Sequence, residues 1–139
     1  SLRECSRGTT TTMLGYVSDA HLNELVGSAR AAVVPGEEDF GLVPLEAAAA
    51  GRPAIAYRGG GALETIVEGQ TGVFFDKPTP ESLAAALRTF DPSRFDPARL
   101  RAHAENFAPA QFIQRLREIV ERVYREKVSF KDGGEAPAR

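Results

Sequence analysis

Glu38 and Glu46 stand eight positions apart, on either side of a bend formed by Phe40, Gly41 and Leu42. Pro44 and an alanine-rich stretch follow the bend, and an apolar run over residues 31–34 leads into it. Strand, glycine bend and helix start, in that order, present unpaired backbone N–H groups and the positive end of a helix to an anion. The spacing places Glu46 inside the first turn of that helix. A carboxylate there accepts hydroxyls, which a ribose or another sugar supplies. A second glycine turn, Gly59-Gly60-Gly61, follows the apolar run 53–57 and leads to Glu64.

The elements that must hold these residues follow from periodicity and end signals. Residues 1–12 are polar and threonine-rich, a loose lead-in to a domain spanning 13–130. Residues 13–17 read as a short strand interrupted by Gly15. Ser18 is a good N-cap with Asp19 in the first turn, and Leu22, Leu25, Val26 and Ala29 follow at helical spacing. Further strands are expected at 31–34, 53–57 and 72–75, and helices at 44–50 and 62–67. Thr79 and Pro80 start a helix carrying Leu83, Leu87 and Phe90 on one face. Asp96 and Pro97 start the next, with Leu100 and Ala104 inward. In the last helix, Phe112, Ile113, Leu116, Ile119, Val120, Val123 and Tyr124 share one face. Residues 131–139 are polar and are expected to be disordered. His21 and His103 lie among polar or small neighbours and are expected on the surface.

Strand and helix alternate at α/β spacing. The expected fold is therefore a Rossmann-like parallel sheet with helices on both faces. Ligands on such sheets bind at the carboxyl ends of the strands. The Glu38 bend and the triple glycine each follow a strand, so both belong to that edge.

Composition excludes several classes. The chain has 139 residues, 42% of them hydrophobic, which suits one domain with a true core. A net charge of −2 speaks against a dedicated nucleic-acid binder. No apolar run reaches membrane-spanning length, and residues 1–12 lack the apolar centre of a secretory leader. One cysteine, Cys5, permits no internal disulfide and points to a reducing, cytoplasmic compartment. With two histidines and one cysteine, a Cys/His zinc site is not expected.

Ten residues, Glu38, Phe40, Gly41, Leu42, Glu46, Ala47, Ala49, Gly51, Pro53 and Ile55, match in register the pattern E-x-F-G-L-x-x-x-E-A-x-A-x-G-x-P-V-I. Downstream, Gly60, Gly61 and Glu64, then Gly69, Gly72, Phe74 and Phe75, match G-G-x-x-E and G-x-x-G-x-L/F-F. The chain thereby resembles, over roughly residues 13–125, the donor-binding half of the family 4 retaining glycosyltransferases of the GT-B fold. Its bacterial mannosyltransferase-like members are the most similar. The resemblance implies a partial donor domain of an enzyme that moves a mannose- or glucose-type hexose. The donor would be a nucleotide-diphosphate sugar, GDP-mannose or a UDP-sugar, and the acceptor a glycan or a lipid-linked sugar.

It implies that Glu46 accepts the ribose hydroxyls, through charge-assisted bonds that are the strong kind. It gives Glu38 a contact with the transferred hexose, as the candidate catalytic residue. Phe40, Gly41 and Leu42 would bring backbone amides to the sugar and diphosphate, Gly41 leaving room for the ligand. Gly60, Gly61 and Glu64 would line the same pocket. The resemblance requires neither metal nor cofactor.

Measured against that family, the acceptor domain and the arginine- and lysine-bearing start of the donor domain are absent. Arg52 and Arg58 occupy other places in the pattern. The chain is thus expected to be part of a larger enzyme, inactive alone, with a sheet edge and apolar surface open to self-association. The alternative reading is a nucleotide-sugar-binding module without catalytic activity. A dinucleotide-binding domain is disfavoured, because no G-x-G-x-x-G follows the first strand. The arginine-rich face of the last helix (Arg115, Arg117, Arg122, Arg125, Lys127) is ordinarily a solvated face. Its alternative is a peripheral contact with an anionic membrane at the inner face.

Overall fold

The computed structural model describes residues 8–131. Helix α1 (Asp19–Ser28) precedes β1 (Ala32–Val34), α2 (Leu42–Ala49), β2 (Ala54–Tyr57), α3 (Ala62–Thr65) and β3 (Gly72–Phe75). Then come α4 (Pro80–Thr89), a 3-10 turn (Pro92–Arg94), α5 (Pro97–Glu105) and α6 (Pro109–Lys131). The three strands form one parallel sheet in the order β1-β2-β3. In register, Val34 stands beside Ala56 and Phe74, and Val33 beside Ile55 and Val73.

Strand alternation sorts the core into two faces. Val34, Ala54 and Ala56 point to one face and pack with Ala62 and Ile66 of the α3 segment, joined by Phe74. On the other, Val73 packs in a cluster with Phe90, and α4 lies over β2 and β3. Helices therefore cover both faces, as the α/β alternation requires. Runs of alanine and valine in β1 and β2 suit strands buried from both sides. Helix α5 packs chiefly on α2, with Leu100 fully buried in a cluster with Ala48 and Phe95.

End signals act as the sequence predicts. The Ser18 hydroxyl accepts from His21 N (3.4 Å), Thr79 from Ser82 N (3.4 Å) and Asp96 from Ala98 N (2.8 Å). Each satisfies a backbone donor that a helix start leaves unpaired.

Four expectations change, the smallest being that the helix expected over 62–67 ends at Thr65, because Ile66 is extended. Residues 13–17 form no strand: Gly15 takes φ 70°, which breaks the extended run, and Tyr16 is 96% exposed. Helix α2 begins at Leu42, two residues before Pro44, because Gly41 in the left-handed region (φ 64°, ψ 37°) sets the break directly before it. Pro44 is accommodated in the first turn, where its missing N–H has no intrahelical partner in any case. Helix α6 runs through Lys131, one residue into the expected tail; the rest of that tail, like residues 1–7 of the lead-in, lies outside the described residues. The apolar stripe of α6 is exposed, from Phe112 (64%) to Tyr124 (69%). Among the described residues no helix is long and apolar enough to cross a membrane.

Candidate functional site

All three strands run in one direction, so the segments leaving β1, β2 and β3 meet at one edge. The β1 exit, residues 35–41, and the β2 exit, residues 58–61, interlock there through their backbones. Gly61 N–H donates to the Glu38 carbonyl at 2.6 Å. A Cβ on Gly61 would stand 2.5 Å from the Phe40 carbonyl carbon and 2.6 Å from Gly41 N. A Cβ on Gly41 would stand 2.6 Å from both Gly61 O and Thr65 Oγ1, and one on Gly60 would run into the Glu38 carbonyl oxygen. Contacts under 3 Å are not available to a real Cβ, so a side chain at any of these three positions would push the two turns apart. On the side a Gly41 Cβ would take, Gly61 and Thr65 fill the space.

The interlock holds a shallow concavity of about 390 Å³ lined by Glu37, Glu38, Asp39, Phe40, Gly41 and Leu42. Three consecutive acids edge it, of which Glu37 and Asp39 carry no separate assignment in the family pattern. Phe40 is 79% exposed at its rim. Among the described residues no side chain caps the start of α2, in contrast to α1, α4 and α5. The first N–H groups of α2 therefore remain available beside Gly41 and Leu42.

Glu46 is exposed, but it sits in the second turn of α2, because the helix starts early. The concavity is lined by residues 37–42 and does not include Glu46, Gly60, Gly61 or Glu64. Glu64 is exposed in the short α3, its N–H donating to Gly61 O at 3.1 Å. The structure thus brings Glu38, Phe40, Gly41 and Leu42 together, with Gly60 and Gly61 packed directly behind them.

Arg58, at the exit of β2, and Arg52, at its entry, are both engaged. Arg58 donates to both carboxylate oxygens of Glu68 (3.0 and 2.7 Å) and to Asp76 Oδ1 (2.6 Å), and stacks 4.6 Å from the Phe74 ring centroid. Its hydrogen bonds hold the Glu68 carboxyl below the ordinary glutamate range. Arg58 N–H also donates to Phe75 O (3.0 Å), so the residue ties the end of β2 to the end of β3. Arg52 donates from Nε to the Gly27 carbonyl (2.8 Å) and from Nη2 to the same oxygen, fastening α1 to the loop before β2. His103, expected on the surface, is half-buried and contacts Thr65 O at 2.8 Å. That partner lies on another element, beyond the reach of local sequence context.

Comparison with known proteins decides the family. Residues 2–107 match the family described as Glycosyl transferases group 1. The chain belongs to this family. It is 44% identical over 80 residues to glycogen synthase of Mycobacterium tuberculosis, covering 57% of the chain and 19% of the relative. It is 42% identical over 107 residues to D-inositol 3-phosphate glycosyltransferase of Paenarthrobacter aurescens, covering 73% and 25%. Identity to alpha-1,3/1,6-mannosyltransferase alg-2 of Neurospora crassa is 34% over 99 residues, covering 64% and 20%. Sucrose-phosphate synthase from Thermosynechococcus elongatus superposes with a TM-score of 0.75 at 26% identity, over 90% of this chain and 33% of that one. The GT-B-type α/β fold therefore stands, and the group 1 chain spans 19–25% of the length of these three curated relatives.

Proposed function

We propose that this group 1 domain is the donor-binding part of a retaining, metal-independent hexosyltransferase. The enzyme would move a mannose- or glucose-type hexose from a nucleotide-diphosphate sugar to a glycan or lipid-linked acceptor. The observation that carries this reading is the uncapped start of α2 opening beside an acid-lined concavity at the carboxyl edge of the sheet. The two halves of that site suit the two halves of the donor. Three acids repel a diphosphate but accept hydroxyls, so the hexose lies toward Glu37, Glu38 and Asp39. The diphosphate lies toward the N–H groups of Leu42 and Val43 and the positive end of α2. Glu46, one turn further along α2, is left for the ribose hydroxyls.

Transfer with retention passes through an oxocarbenium-like centre as the diphosphate departs. Fixed amides at the helix start stabilise charge where it develops on the leaving group. The glycine interlock keeps them in place, which supplies positioning without reorganisation. Relatives named glycogen synthase and alpha-1,3/1,6-mannosyltransferase support sugar transfer as the chemistry.

A second reading has its own observation. Arg58 is held by Glu68 and Asp76, and Arg52 by the Gly27 carbonyl, so neither serves the diphosphate. This favours nucleotide-sugar binding without transfer by the chain on its own.

Calorimetry with GDP, UDP and ADP tests the assignment. Wild type is expected to prefer one nucleotide, and Glu46→Ala to bind it about tenfold more weakly, as befits loss of hydrogen bonds to a charged acceptor. Equal affinity of wild type and variant for the preferred nucleotide would remove Glu46 from the site.

A further inference from the structure

Helix α3 has four residues, too few to persist without outside support. Its last carbonyl groups have no partner within the helix. One of them, Thr65 O, lies 2.8 Å from His103 Nε2 on α5. A carbonyl carries no proton, so Nε2 is the donor. Phe107 supports the imidazole from one turn further along, with ring centroids 5.3 Å apart.

Thr65 is buried, and its position matters to both turns of the site. Its hydroxyl donates to Gly61 O at 3.0 Å, an oxygen that also accepts from Glu64 N and Thr65 N. The same hydroxyl oxygen occupies the space a Cβ on Gly41 would need. A shift of Thr65 therefore moves the wall behind Gly41 and the turn that donates to the Glu38 carbonyl. Helix α5 is itself fixed against α2 through the buried Leu100. It packs on α2 near Ala48 and, through His103, reaches the last residue of α3.

We propose that His103 is a positioning residue for the donor site. Its Nε2–H holds Thr65, and Thr65 sets the spacing between the Gly59–Gly61 turn and the Glu38–Leu42 bend. The effect on ligand affinity rests on the donor-site reading; the effect on the turns does not.

Amide hydrogen exchange by NMR separates the two. In His103→Leu, Gly61 N–H is expected to exchange about tenfold faster while the β2 amides keep their rates, because the opening is local. His103→Gln restores an amide donor near the Nε2 position and is expected to return Gly61 to within about threefold of wild type. His103→Asn, whose amide falls short of Thr65 O, is expected to follow His103→Leu and serves if that variant does not fold. Nucleotide affinity should fall in the Leu and Asn variants and recover in the Gln variant. Gly61 exchange that is unchanged, or that rises only in step with the β2 amides, would overturn the proposal, as would failure of Gln to rescue it. Wild-type chain that binds no nucleotide, with the exchange pattern intact, would instead overturn the donor-site reading and leave the brace standing.

Discussion

Gly41→Ala is expected to lower stability by about 3 kcal/mol and to abolish measurable nucleotide binding. Two independent costs meet at this position. The backbone is left-handed at φ 64°, which costs a residue with a Cβ about 1 kcal/mol. The added methyl would lie 2.6 Å from Gly61 O and Thr65 Oγ1, and overpacking of this kind costs about 1–3 kcal/mol. Relief requires the two turns to part, which breaks the Gly61 N–H bond to the Glu38 carbonyl and displaces the start of α2. Binding is therefore lost even where the rest of the sheet stays folded. For a domain of this size the melting midpoint should fall by about 10 °C. Gly36→Ala, in the same loop with nothing within 4 Å of its Cβ, is expected to be neutral in both respects. Thermal melts and titrations of the two variants side by side check the argument. Similar behaviour of both would show that the interlock does not hold the site.

Leu100→Ala is expected to cost about 3 kcal/mol, by a different route. Among the described residues, Leu100 and Ile55 are the two largest side chains with almost no exposure. Truncation leaves a cavity between α5 and α2 rather than a clash. Leu87, 47% exposed on α4, provides the contrast: its truncation should cost less than about 1 kcal/mol, because much of that side chain already meets water. Urea unfolding reads both as shifts in midpoint at constant slope. A cost below about 1 kcal/mol at Leu100 would mean that α5 is not seated on α2 as described.

These two positions also show what the sequence reveals and what it hides. Leu100 was legible because it recurs at helical spacing behind an Asp96-Pro97 start signal, and inward-facing residues follow from that period. The strands at 32–34, 54–57 and 72–75 were legible as short apolar runs between glycine and proline punctuation. The run at 13–17 has similar composition, yet composition does not report that Gly15 adopts a positive φ. Pro44 is the stronger local signal and places the start of α2 two residues late, whereas the actual break lies in the backbone angle of Gly41. That shift moves Glu46 from the first turn of the helix to the second.

The glycine interlock was invisible for a topological reason. Gly41 and Gly61 are twenty positions apart and meet only because parallel strands deliver their exits to one edge. The same holds for His103, whose alanine neighbours suggest a surface residue while its hydrogen-bond partner stands 38 positions away. Local periodicity thus finds the elements and their inward faces. Contacts between exits of different strands, where the candidate site lies, emerge only when the sheet order is known.

A nucleotide-diphosphate sugar is expected to bind in the concavity between the Glu38 bend and α2. The direct measurement is an NMR titration of the isotope-labelled chain with GDP-mannose, UDP-glucose and ADP-glucose, followed residue by residue. The expected result is saturable movement of the Phe40, Gly41 and Leu42 amides, with Gly60, Gly61 and Glu46 following at the same ligand concentration. Shifts confined to the cavity beneath Phe90 and Phe95 at the β3 edge, or no shift with any of the three sugars, would contradict it.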